Sequence, residues 1–204
     1  MNDWQHYTSI MTYVDQFHKD IGALVALIEQ LMLDRGYVSL PSAGNRASWG
    51  MSSHIERPDA WRVPNLSRLF MPEDSHTFSQ TPFYFINLET GTAFDFPPVI
   101  CGRLIHPPLT ENEVYMGAYN TGGLKTLAHR KPSWRYVVVE KGWTVMEPAF
   151  KCRATQARVF LLNLFDLRNK ETVLENIIIP LTDEVDLDEI LTIPRHPIPG
   201  TGGA

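Results

Sequence analysis

This chain of 204 residues lacks the features of disulfide-rich, membrane-spanning and strongly charged proteins. Its two cysteines, Cys101 and Cys152, are too few for a disulfide framework and lack the paired spacing of a zinc site. We expect them to be buried thiols, with a single disulfide left open. The first residues do not have the pattern of a signal peptide, which is a charged region followed by an apolar run. No later apolar run is long enough to cross a bilayer. These absences predict a soluble, cytoplasmic protein that does not enter a membrane.

An excess of positive charge is also missing. The formal net charge of -5 argues against a surface adapted as a whole to nucleic acid or to anionic lipid, although a local patch could still bind either. Hydrophobic residues make up 44% of the chain, which is enough for one substantial core.

Complete catalytic and cofactor-binding motifs are absent as well. The signatures of kinases, P-loop and dinucleotide-binding proteins, zinc fingers, α/β-hydrolases, deaminases and helix-turn-helix proteins each fail at a required residue. Gly50 to His54 lacks the closing glycine of a nucleophile elbow, and His54-Ile55-Glu56 lacks the cysteine pair of zinc deaminases. The sequence therefore predicts no catalytic residue, no metal site and no cofactor. This favours a non-enzymatic protein, with an enzyme left open.

The strongest periodic pattern extends from Tyr13 to Leu33. Apolar residues recur there at steps of three and four, which places them on one face of an α-helix. Thr8 or Ser9 is suited to cap its start, and Gly36 is suited to end it, so we predict a helix over residues 9–35. The helix is expected to pack on a sheet, and its heptad-like spacing would also allow pairing in a homodimer. The periodic apolar residues are Val14, Phe17, Ile21, Leu24, Val25, Ile28, Leu31 and Met32.

The rest of the chain is dominated by strand patterns. Residues 37–40 suggest a short strand, residues 41–82 an irregular arm, and residues 83–181 a sheet. Within the sheet we predict hairpins at Thr90-Gly91 and at Lys141-Gly142. Further strands are predicted at residues 99–105 and 114–119, and residues 157–167 and 172–181 are expected to form central strands covered on both faces.

Together these elements predict an α+β fold, in which a long N-terminal helix packs on a largely antiparallel, curved sheet of about seven or eight strands. We expect one domain over residues 1–191. Within it, the acidic stretch from Asp183 leads into a capped helical turn. Residues 192–204, rich in proline and glycine, are expected to form an extended tail.

The loop of residues 117–135 is the first candidate binding site. It combines two adjacent glycines with several cations, which suits an anionic small molecule such as a phosphate ester. It does not match a P-loop, in which the second glycine directly precedes the lysine, because Gly123 and Leu124 separate Gly122 from Lys125. The alternative interpretation is a flexible basic loop without a ligand. The candidate ligand-binding residues are Gly122, Gly123, Lys125, His129, Arg130 and Arg135.

The arm of residues 41–82 is the second candidate, because arginines and tryptophans alternate along it. Such residues suit internal packing or a protein interface, and, less well here, single-stranded nucleic acid. The sequence thus favours a binding or regulatory module that acts through protein contacts, with a partner protein or with itself. The alternative is a sensor or enzyme for a phosphate-bearing small molecule, using the loop of residues 117–135. The candidate interaction residues are Arg46, Trp49, Arg57, Trp61 and Arg62.

Overall fold

The fold is α+β, with a curved, unclosed antiparallel sheet and a long N-terminal helix. The computed structural model describes residues 3–40, 65–88, 94–114, 134–149 and 153–198. Seven strands in these ranges form one sheet with the order β1-β2-β3-β4-β7-β6-β5, and every neighbouring pair is antiparallel. The strands are β1 (Tyr37–Ser39), β2 (Asn65–Pro72), β3 (Phe78–Asn87), β4 (Pro98–Leu109), β5 (Trp134–Glu140), β6 (Trp143–Pro148) and β7 (Gln156–Asn163).

Helix α1 (Asp3–Leu33) confirms the strongest sequence pattern. It has 31 residues and is about 46 Å long at 1.5 Å per residue. Its start is six residues earlier than predicted, so the expected caps lie inside the helix, where Thr8 Oγ1 donates to Trp4 O. Gly36, at φ 75°, follows its end as predicted. None of the described helices is both long enough and apolar enough to cross a bilayer.

The central strand β4 divides the core into two layers. On one face, α1 and the C-terminal helices cover a cluster that includes Tyr84 and Cys101. On the other face, a second cluster includes Phe83 and Leu161. Cys101 is a fully buried free thiol whose pKa is raised by burial, which confirms a packed cysteine; Cys152 lies outside the described residues.

The second predicted hairpin is present as β5 and β6. Lys141, at φ 49°, and Gly142, at φ 77°, form its two-residue turn. Successive positive φ values are typical of the tight turns that match the twist of antiparallel strands. The neighbouring prediction for residues 157–167 is confirmed in part, because β7 ends at Asn163 and a 3-10 turn (Leu164–Asp166) follows.

The prediction of a strand over residues 172–181 is wrong. The chain is helical from residue 170 to 182 and is named α3 here; it comprises an α-helical turn (Lys170–Val173), a π-helix (Leu174–Ile178) and a second α-helical turn (Ile179–Thr182). Asn169 Oδ1 caps the start by accepting from Thr172 N at 2.8 Å. Pro180 has no N–H to continue the α-helical bonding, and a wider turn precedes it.

Three further boundaries differ from the predictions. β2 lies inside the predicted irregular arm. The run expected to return from Thr90-Gly91 is not a strand at residues 94–96. Pro98 is instead the first residue of β4, a strand position that tolerates proline. Val114, expected to begin a strand, instead ends the short helix α2 (Glu111–Val114).

The C-terminal segment forms neither helix nor strand over residues 191–198, and it packs on the domain. His196 N donates to Leu161 O at 2.9 Å, and Ile198 is buried in the second cluster. Before it, the acidic stretch forms the expected capped turn, helix α4 (Leu187–Ile190), with Asp186 as the N-cap.

Candidate functional site

Helix α1 carries one continuous heptad seam whose cover by the domain increases along the helix: Tyr7 and Ile10 are exposed, Phe17 is half-buried against the core, and Ile21 is buried. We call the first half, residues 4–20, the exposed half of α1. From Ile21 onward the seam packs on the sheet and the C-terminal helices, where Ile28 is fully buried. Arg68 of β2 fixes this second half, since its Nε lies 2.5 Å from Glu29 Oε1. The seam positions are Tyr7, Ile10, Val14, Phe17, Ile21, Leu24, Ile28 and Leu31.

The exposed half presents large apolar side chains to solvent. Trp4 is 72% exposed, Tyr7 54%, Ile10 48% and Tyr13 70%. The Trp4 and Tyr7 rings stack, with centroids 5.6 Å apart and an angle of 25° between their planes. Single exposed apolar residues are ordinary on a protein surface, but a contiguous patch of this kind marks an interaction site.

A groove continues this patch where α1 meets the domain. Its volume is about 310 Å³, and the 3-10 turn after β7 forms its opposite wall. Phe165 stands on that wall with 54% of its surface exposed. The groove is lined by Tyr13, Gln16, Phe17, Asp20, Ile21, Leu24, Leu164, Phe165 and Leu167.

The exposed half is also poorly suited to stand alone as a helix. From Trp4 to Val14 it contains no Asp, Glu, Lys or Arg, so ion pairs within the helix cannot support it there. Thr8 and Thr12 each donate a side-chain hydrogen bond to the carbonyl four residues earlier, which weakens a helix slightly. Most stability of a protein helix comes from packing of its apolar face, and this segment has little of it.

A second notable group is Arg103, a buried arginine on β4. Its Nη1 donates to Glu184 Oε1 at 2.7 Å, and its Nε and Nη2 donate to Pro180 O at 3.2 and 2.6 Å. Nη2 also donates to Asp183 O, and the guanidinium lies over the Trp143 ring at 5.5 Å from the centroid. Burial lowers the pKa of Arg103, and Glu184 acts in the opposite direction. The arginine caps the C-terminal end of α3, which explains its burial without a ligand.

A polar cavity of about 290 Å³ lies beside this arginine, between β5, β6 and the α3–α4 connection. Arg158 and Lys141 are the cations that line it, and the Arg158 guanidinium lies 4.0 Å from Glu140 and 3.9 Å from Glu184. The carboxylates on the wall offset this charge, so the cavity does not have the positive charge that an anionic ligand needs. Its lining comprises Glu140, Lys141, Trp143, Arg158, Glu184, Val185 and Asp186.

A threonine and a histidine are hydrogen-bonded in the core between β3 and β4. Thr81 Oγ1 lies 2.9 Å from His106 Nε2, and His106 Nδ1 lies 2.8 Å from Pro107 O. Because the carbonyl only accepts, Nδ1 carries the proton and Nε2 accepts from the hydroxyl. A hydroxyl beside an oriented base is the arrangement of nucleophilic catalysis, but both side chains are buried, at 0% and 4% exposure. The pair satisfies two buried polar groups, and this accounts for it fully.

Comparison with known proteins adds no assignment. No family model, curated protein or solved structure matches the chain. Within the described ranges, no group of three or more His, Cys, Asp or Glu side chains is arranged to hold a metal ion. The surfaces of the protein must therefore be interpreted from their own chemistry.

Most residues proposed from the sequence lie outside the part of the chain that the structure describes. This applies to Gly122, Gly123, Lys125, His129 and Arg130 of the loop. Arg135 is described: it lies on β5 with an exposed side chain, and its Nη2 donates to Glu147 Oε2 at 3.1 Å. Anion binding by this loop stays a prediction.

The arm residues Arg46, Trp49, Arg57, Trp61 and Arg62 also lie outside the described residues, so their role in an interface stays a prediction. Trp4 and Tyr7 were missed. The signal that could have revealed them is the upstream continuation of the heptad spacing from Val14 through Ile10 to Tyr7.

Proposed function

We propose that this protein is a non-enzymatic binding or regulatory module whose partner surface is the exposed half of α1 together with the adjoining groove. One observation carries this proposal: a single heptad seam is buried at Ile21, Ile28 and Leu31, with Leu24 half-buried between them, and it is exposed at Tyr7 and Ile10. A seam of this kind gains stability only when a partner covers it.

The chemistry of the surface favours a protein partner. Tyrosine and tryptophan are enriched in protein interfaces, where they bury a large area at a small cost in conformational entropy. Anionic membranes and nucleic acids are bound chiefly through lysine and arginine, and the segment from Trp4 to His18 has neither.

The groove adds an anchoring position. Aromatic side chains at the centre of an interface usually insert into a pocket on the partner. Between Phe17 and Phe165 the groove offers an apolar pocket of about 310 Å³ to such a side chain. The helix face and the groove thus form one continuous surface.

Site-specific photo-crosslinking tests this proposal in the cells that naturally produce the protein. A benzophenone amino acid replaces Tyr7 in the full chain, and the matched control carries it at Asp74, an exposed residue of the β2–β3 turn. The neighbouring Glu73 N donates to Gly36 O, so this turn lies by the C-terminal end of α1, at the other end of the helix from Tyr7. We expect a protein adduct from position 7 and none from position 74. Absence of any protein adduct at position 7, with the variant folded and abundant, would overturn the proposal.

A further inference from the structure

We infer that the partner at the exposed half of α1 is a second copy of this chain, bound antiparallel about a two-fold axis level with Thr12. This inference rests on the function proposed above and names the partner. It follows from the positions of the apolar residues, the length of the exposed half and the charges beside the seam.

The heptad positions match themselves when the helix is reversed. In an antiparallel pair centred on Thr12, each seam residue faces a residue of the second copy, and the numbers of the two residues add up to 24. Tyr7 then faces Phe17 of the second copy, and Ile10 faces Val14 of the second copy. Each seam layer therefore contains apolar side chains from both helices, as knobs-into-holes packing requires.

The length of the exposed half fits the same arrangement. Trp4 lies level with Asp20 of the second copy, just before Ile21, which is the first buried seam residue; Phe17 is half-buried against the domain and keeps part of its surface free. Each helix thus ends where the other enters its domain. At 1.5 Å per residue, the two Ile21 residues are about 27 Å apart along the axis, so the two domains lie at opposite ends of the pair.

The positions that flank the seam are compatible with self-pairing. Met11 and Tyr13 each lie near their own copy at the two-fold axis, where an uncharged residue avoids repulsion between like charges. The flanking positions on one side of the seam are offset from the seam layers, and their residue numbers add up to 26, as for the two Tyr13 residues. On that side His6 lies beside Asp20 of the second copy, where an imidazole N–H can donate to the carboxylate. Within one copy, Asp20 Oδ1 accepts a hydrogen bond from Gln16 Nε2 of the same helix at 2.7 Å.

The available apolar surface is sufficient for a small stable dimer. Trp4, Tyr7 and Tyr13 from two copies provide six aromatic side chains, each with more than half of its surface free. At about 150–250 Å² for a complete side chain, they would bury on the order of 800 Å². Ile10, Met11, Phe17 and the groove bring the total toward the roughly 1,200 Å² at which standard interfaces begin.

Sedimentation equilibrium of the purified full chain tests the pairing. We expect a mass twice the 23.2 kDa of the chain. Ile10→Glu places a charge in the seam and should give a monomer, whereas Ser9→Glu adds the same charge on the opposite face and should leave the dimer intact. Circular dichroism confirms that each variant is folded.

If the wild-type protein stayed monomeric at concentrations up to about 100 µM, self-pairing would be overturned, because a dimer with a micromolar Kd would be almost fully formed at that concentration. So would equal dissociation of the two variants. If position 7 still crosslinks a different protein in cells, the proposed function stands and only this inference fails. Binding of the wild-type monomer to phosphatidylcholine–phosphatidylglycerol vesicles would assign the surface to lipid and would also overturn it.

Disulfide trapping tests the antiparallel order. In a background with Cys152 replaced by alanine, Tyr7→Cys and Phe17→Cys chains are oxidised separately and as a mixture. We expect a covalent dimer chiefly in the mixture, because position 7 faces position 17. Efficient crosslinking of each variant with itself, and none between them, would contradict the antiparallel order.

Discussion

Arg103 on β4 and Pro180 on α3 are joined by two hydrogen bonds, from Nε at 3.2 Å and from Nη2 at 2.6 Å to the same carbonyl oxygen. The carbonyls at a helix C-terminus have no partner within the helix, and this end of α3 is buried against the sheet. A cation there also interacts favourably with the helix dipole. The contact therefore fixes the position of α3 on the central strand.

Arg103→Met should lower the free energy of unfolding by about 2–4 kcal/mol, because it leaves buried carbonyl groups without donors. Urea denaturation of the full chain measures the loss. Arg158→Met is the matched control, since its ion pairs are long, at 3.9 and 4.0 Å, and its loss should stay below about 1 kcal/mol. Equal losses in the two variants would show that Arg103 does not cap α3.

Gly102→Ala should destabilise the protein by about 1–3 kcal/mol, because a side chain at this position overfills the core. An added Cβ would lie 2.7 Å from Val159 Cγ1 and 3.0 Å from Phe83 Cζ, and it would also meet the backbone oxygen of Arg158. Thermal unfolding measures the change.

The control substitution for Gly102 has the opposite expected sign. Gly22 lies on an exposed position of α1, and an added Cβ would meet no atom within 4 Å apart from its chain neighbours and the adjacent helix backbone, so Gly22→Ala should stabilise the protein by about 0.5–1 kcal/mol. A neutral Gly102→Ala variant would show that the contact between β4 and β7 is looser than described.

Asn176 connects α3 to the segment after α4 through four hydrogen bonds. Its Nδ2 donates to Thr172 O and Thr192 Oγ1, and its Oδ1 accepts from the amides of Thr192 and Ile193. Asn176→Ala should cost about 2–4 kcal/mol, because several of these buried groups lose their partner.

Asn169→Ala is the comparison variant for Asn176. It removes the cap of α3 at the surface and should cost only about 1 kcal/mol. The urea unfolding midpoints of the two variants show which substitution lowers the stability more. A larger loss at Asn169 than at Asn176 would contradict the network described for Asn176.

His106 should make stability depend on pH below about 6.5. Burial holds its pKa below the ordinary value of 6.5, so the unfolded chain binds more protons than the folded one as the pH falls through 6.5. Stability is then constant above that pH and declines below it until the folded-state pKa is passed. His106→Gln should show a flatter profile between about pH 5 and 7, measured by urea unfolding.

Glu113 acts in a separate pH range. Hydrogen bonds from Thr110 and Arg153 lower its pKa to about 2, so its contribution falls only at pH values below its ordinary pKa of 4.5. If His106→Gln kept the full wild-type slope between pH 5 and 7, His106 would not be the titrating group.

Local signals in the sequence predicted much of the fold. The spacing from Val14 to Met32 predicted α1, and Lys141-Gly142 predicted the β5–β6 turn, because helix periodicity and two-residue turns depend on neighbouring residues. The strand prediction for residues 172–181 failed because a continuous run of apolar side chains is as typical of a buried helix as of a central strand. The Asn169 cap would have decided in favour of a helix.

The candidate site was harder to predict, because exposure depends on where the domain ends. The seam positions before Val14, Tyr7 and Ile10, are large and apolar or aromatic like the later ones, and only the structure shows that these two side chains are exposed. The role of Arg103 was equally inaccessible, since its partners on α3 lie about 80 positions away in the chain.

Amide hydrogen exchange along α1 tests the central claim most directly. We predict that amides at residues 5–18 exchange at least about tenfold more slowly in the purified wild-type protein than in the Ile10→Glu variant, because a second copy covers them in the wild type. Amides at residues 22–32, which pack on the domain, should be protected in both proteins. Equally fast exchange of residues 5–18 in wild type and variant would contradict the account, because the exposed half of α1 would then be uncovered in solution.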